Sequence, residues 1–74
     1  MTGPRTLKTV HTGEKAFIVG IDAGSRVLAR LESLGLLPGV EVDVLANGSG
    51  PMLVSVGQGR VVVEAGIASK VLVA

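Results

Sequence analysis

The chain contains no cysteine, no tryptophan and no tyrosine, and only one phenylalanine and one histidine in 74 residues. The missing cysteine rules out disulfides and thiolate metal sites, two devices that often hold small domains together. No apolar run approaches the roughly 18 residues that a membrane-spanning helix needs; the longest, such as AFIV and VLVA, are strand-length. The opening MTGPRTLKTV has no apolar signal core, which argues against secretion. There is also no block of one charge. Seven Lys and Arg oppose six Asp and Glu, for a net charge of +1. A nucleic-acid binder usually carries a basic stripe, often with stacking aromatics, and this sequence has neither.

What is present is aliphatic. Hydrophobic residues make up 47% of the chain, and the mean hydropathy is +0.60. Either some apolar surface is left exposed for a partner, or valine-rich strands raise the average. A chain of this length is one domain that buries only roughly 60% of its unfolded surface.

Periodicity assigns the elements. Residues 1–6 read as a flexible tail, and Leu7 to Val10 as a short lead-in strand. KAFIVGI, residues 15–21, reads as a strand with Ala16 and Ile18 on one face and Phe17, Val19 and Ile21 on the other. Two apolar faces predict that it is central or covered on both sides. Ser25 is a candidate helix N-cap. From Arg26 to Leu34 the apolar Val27, Leu28, Leu31 and Leu34 share one helical face. A nine-residue helix does not persist alone in water, so packing must hold it. Gly35 stands where a helix ends in the left-handed region, with Leu36 folding back toward Leu31. Leu37-Pro38-Gly39-Val40 suits a type II turn. VEVDVL, MLVSV, RVVVE and VLV follow as short strands, with AGIASK as one helical turn. Many short strands in so small a chain predict a mainly β domain closed as a small barrel, with one short α-helix after the first main strand.

Catalytic patterns are missing. His11 could join Glu14 or Asp22 only in a weak metal site. The serines have no base nearby in sequence. GSGP and GQGR lack the spacing of a phosphate-binding loop and read as hairpin turns. No carboxylates pair for acid–base work. The sequence reads as a non-enzyme with no cofactor. Arg26 and Arg30 lie four apart on the polar helix face, beside Ser33. A cation near the helix N-terminus costs about 0.3–1 kcal/mol, so Arg26 is not there for helix stability. The three residues are either a cationic docking patch for an acidic partner or a solvated face.

RLESLGLLPGVEVDVL, residues 30–45, resembles the R-L-x-x-L-G-L-x-P-G-x-x-V-x-V signature of the FeoA family of ferrous iron transport proteins. Arg30, Leu31, Leu34, Gly35, Leu36, Pro38, Gly39, Val42 and Val44 carry the match. LKTVHTGEKAFIVGI and GPMLVSVGQGRVVVEAGIASKVLV are similar to the family's opening and closing segments, so the likeness covers roughly residues 7–73. It implies an SH3-like β-barrel domain over residues 7–74. It implies a cytoplasmic accessory protein that binds the membrane ferrous-iron transporter FeoB and reaches the membrane only through that partner. No catalytic residue, cofactor or nucleic acid is implied, and a homo-oligomer stays open. The alternatives are a nucleic-acid-binding SH3-like barrel, a FeoA-like domain binding a divalent transition metal, and an arginine finger acting on a GTPase. The ANGSGP hairpin is short for the family, and His11 stands where proline or a basic residue is commoner.

Overall fold

The computed structural model describes residues 5–74. In chain order the elements are β1 (Arg5–Thr6), a 3₁₀ turn (Leu7–Thr9), β2 (Lys15–Ile21), α1 (Ser25–Ser33), β3 (Glu41–Ala46), β4 (Met52–Val56), β5 (Gly59–Val63), α2 (Ala65–Ala68) and β6 (Val71–Val73). The strands form one antiparallel sheet in the order β1-β6-β2-β3-β4-β5. The mainly β architecture with a helix after the first main strand is as expected. The strand order is linear, however, so β1 and β5 remain edges. The sheet stays open but wraps one core: Ala16 and Ile18 of β2, Val42 and Val44 of β3, Met52 and Val54 of β4, Val63 of β5 and Val71 and Val73 of β6 all join one buried cluster. Leu31 of α1 and Leu36 complete it. Among the described residues no polar or charged residue is buried.

The corner after α1 combines two devices. Gly35 has φ +85°; its N–H donates to Glu32 C=O at 3.0 Å, and Leu36 N–H donates to Leu31 C=O at 2.9 Å. This double bond pattern is the Schellman helix end, and its accompanying apolar contact is Leu36 against Leu31, both fully buried. Next, Val40 N–H donates to Leu37 C=O at 3.1 Å around Gly39, which has φ +93°, as a type II turn requires. Gly39 N–H then donates to Ile18 C=O at 2.8 Å, and Ile18 N–H donates to Val40 C=O at 2.9 Å. The corner is thus bonded onto β2 before β3 begins.

Three expectations change. Leu7 to Val10 is not a strand: Leu7–Thr9 is a 3₁₀ turn, with Val10 N–H donating to Leu7 C=O at 3.1 Å and Thr9 Oγ1 donating to Thr6 C=O at 2.8 Å. Leu7 and Val10 are both buried. A strand would send residues three apart to opposite faces, whereas a three-residue turn puts them on the same one. Arg5 and Thr6, expected in the tail, pair with Val73 and Leu72; the rest of that tail lies outside the described residues. β2 is central, one of the two arrangements its apolar faces predict, and Phe17 and Val19 on its outer face are 46% and 45% exposed. The helix cap is Gly24 rather than Ser25, which forms the first helical residue, and no side chain caps that end.

Asn47, in the β3–β4 connection, fastens the entry segment to the sheet. Its Nδ2 donates to Lys8 C=O at 2.8 Å and Val10 C=O at 2.7 Å, and its N–H donates to Thr12 Oγ1 at 3.0 Å. Asn47→Ala strands the two carbonyls, and urea denaturation should show a loss of about 1–3 kcal/mol. Gly35→Ala should cost about 1–2 kcal/mol in the same assay, because its positive φ is strained for alanine even though the added Cβ would meet Val56 Cγ1 at an ordinary 3.5 Å. Gly48→Ala, in open space without a positive φ, should be neutral or stabilising by up to about 1 kcal/mol.

Candidate functional site

The polar face of α1 carries the residues singled out from the sequence. Arg26 and Arg30 are exposed, one helical turn apart, or about 6 Å along the axis. Neither forms an ion pair among the described residues. No acidic residue sits in the first turn to offset Arg26, while Arg30, in the last turn, is on the side of the helix dipole that favours cations. Ser33, beside them, is exposed, and its Oγ donates to Arg30 C=O at 2.7 Å, which leaves the hydroxyl oxygen free to accept.

Arg30 also borders a shallow groove between α1 and the β5–α2 junction, lined with Leu34, Val62, Glu64 and Ile67. Leu34, expected on the packed helix face, ends the helix and stays partly exposed in this groove. Of the other signature residues, Leu31 and Leu36 are core, and Gly35, Pro38 and Gly39 shape the corner. The structure therefore joins Arg30 to an apolar surface, leaves Arg26 one turn away, and assigns most of the signature to folding. Val62 and Glu64 were missed as groove residues because they lie 29 and 31 positions beyond Ser33, the end of the helix.

The other polar cluster is the turn at His11. His11 N–H donates to Glu14 Oε1 at 3.0 Å, His11 Nδ1 lies 3.3 Å from the same oxygen, and Glu14 N–H donates to His11 C=O at 3.0 Å. Asp22 follows the opposite end of β2, on the order of 20 Å away by strand geometry. Among the described residues no three His, Cys, Asp or Glu side chains gather as a metal cage. Among the described residues no helix is long and apolar enough to cross a membrane.

Residues 5–74 match the model of the FeoA domain. The chain belongs to the FeoA family. A relative from Methanocaldococcus jannaschii, named for Fe(2+) transport as protein A, is 33% identical over 61 residues, which are 82% of this chain and 74% of that one. The crystal structure of an FeoA described as an iron uptake regulatory protein superposes with a TM-score of 0.90 at 33% identity, covering 96% of each chain. FeoA of Stenotrophomonas maltophilia, solved with zinc and described as a prokaryotic SH3 domain protein, gives 0.82 at 29% identity, over 93% of this chain and 88% of that one. The FeoA fold seen here is accordingly the small SH3-like one, built as a curled open sheet.

The backbone N–H of His11, donated to Glu14, holds that carboxyl below the ordinary glutamate range, with the His11 charge and side chain acting in the same direction. A lowered folded-state value stabilises the protein above the unfolded pKa, and that contribution is lost as pH falls through the folded one. Carboxyl-detected NMR titration should put the Glu14 midpoint below the ordinary value of about 4.3. A midpoint at or above it would contradict the hydrogen bond.

Proposed function

We propose that this FeoA protein is a small cytoplasmic accessory of ferrous iron uptake that docks on the cytosolic side of a FeoB-type transporter. The observation that carries the reading is the surface of α1: two exposed arginines without carboxylate partners among the described residues, with Arg30 beside a groove that sets the aliphatic Leu34, Val62 and Ile67 next to the Glu64 carboxylate. Unpaired guanidinium groups beside partly exposed aliphatic side chains suit an acidic protein surface with an apolar centre, since arginine is enriched in such interfaces. Family membership supplies the transport context, as its relative and structural neighbours are described in terms of Fe(2+) transport and iron uptake. The protein's part is binding, with no catalytic group of its own. Ser33 contributes by fixing the last helical turn under Arg30.

Co-purification of the full chain with FeoB, in each nucleotide state, tests this. Wild type should be retained, and the Arg26→Ala/Arg30→Ala double variant should bind at least about tenfold more weakly, as loss of interface arginines commonly costs. Unchanged binding of the double variant removes the arginine patch. No association in any nucleotide state overturns the transporter reading.

A further inference from the structure

The free edge of β5 carries a self-complementary pattern. Val56 and Gly59 flank the two-residue Gly57–Gln58 loop, and the β4–β5 ladder runs unbroken from there to Met52–Val63. The pair flanking a two-residue hairpin loop exchanges hydrogen bonds, and bonded pairs then alternate. Gly59, Val61 and Val63 therefore turn their N–H and C=O groups to β4. Arg60 and Val62 turn theirs outward, and among the described residues no other backbone group or side chain bonds to them. Glu64 continues in extended conformation. Its N–H is likewise free, while its C=O accepts from Ile67 and Ala68.

Exposed strand edges are normally blunted by shortness, charged side chains (lysine above all), proline, a bulge, or a helix or loop that covers them. The opposite edge, β1, is two residues long. β5 has five residues, Arg60 as its one charge, no lysine, no proline and no register shift, and Val62, its fourth residue, is 63% accessible. Arg60, Val62 and Glu64 share one face of the strand. That order, positive–apolar–negative, matches itself when run antiparallel.

We propose that this edge pairs with a second copy of the chain, β5 against β5 across a two-fold axis centred on Val62. Val62 exchanges N–H···O=C bonds with Val62 of the partner subunit, and Glu64 N–H donates to the Arg60 C=O of the partner subunit. On the same face each Arg60 stands opposite Glu64 of the partner subunit, so both charge pairs form at once, as an isologous contact demands. The pairing does not depend on the transporter reading. It covers one wall of the groove beside Arg30 and leaves Arg26 free.

Sedimentation equilibrium of the full chain tests it. Wild type should dimerise with rising concentration. Arg60→Glu or Glu64→Arg alone sets like charges opposite each other, and should weaken the dimer about tenfold or more. The double exchange, Arg60→Glu with Glu64→Arg, restores opposite charges and should recover association to within about threefold. Glu64 makes no side-chain cap bond to α2, so these variants keep the fold. Wild-type amide exchange gives a reading free of mutation: the Val62 and Glu64 N–H groups should become more protected as concentration rises. A wild type that stays monomeric up to about 1 mM, where association would contribute only about 4 kcal/mol, overturns the proposal. So does a dimer indifferent to both single reversals, one not recovered by the double exchange, or Val62 protection independent of concentration.

Discussion

Ile18 exchanges two backbone hydrogen bonds with the corner behind α1: its C=O accepts Gly39 N–H at 2.8 Å, and its N–H donates to Val40 C=O at 2.9 Å. These bonds hold a nine-residue helix, too short to persist alone, in one place relative to the sheet. They fall next to the register shift between Ile18 and Gly20, where β2 passes from β3 to β6 as its partner. The same residue buries its side chain completely in the core. Core packing, helix placement and the start of β3 are therefore coupled through a single stretch of backbone. Gly35 and Gly39 make the geometry accessible by taking positive φ.

Placing the helix also places its surface. The leucine side of α1 gives Leu31 to the core, and its other side presents Arg26 and Arg30 to solvent. Across from Arg30, the end of β5 supplies Val62 and Glu64. A small domain without disulfides commits most of its apolar residues to one cluster, and a few are left outside it. Phe17 and Val19 on β2, Leu34 at the helix end and Val62 on β5 are such residues. What this chain presents to its surroundings is two strand edges, an exposed sheet face and a groove.

The corner and most strands could be read from residue order because their determinants are local. Glycine at a positive-φ position and alternating valines act within a few residues, and the bounds of KAFIVGI, MLVSV and VLV match β2, β4 and β6. Tertiary determinants were hidden. Nothing near Leu7 indicates that it and Val10 must both reach the core, which turns an apparent strand into a 3₁₀ turn. Asn47 looks like a hairpin residue, and its bonds to Lys8 and Val10 cross more than 35 positions. Phe17 and Val19 fit either a central strand or a covered one, and only the fold shows β2 central with both nearly half exposed. The arginines of the candidate site were legible, but the groove beside Arg30 exists only after β5 is folded next to α1.

The central claim is that the corner and the sheet form one cooperative unit. Native-state hydrogen exchange of the Leu36, Ile18 and Gly39 amides measures this directly. If the claim holds, all three open with the same free energy as Val44 and Val54 in the middle of the sheet, and respond equally to added denaturant. If Gly39 and Leu36 exchange with a much lower opening free energy while Val44 and Val54 stay protected, the corner unfolds on its own and the sheet does not depend on it.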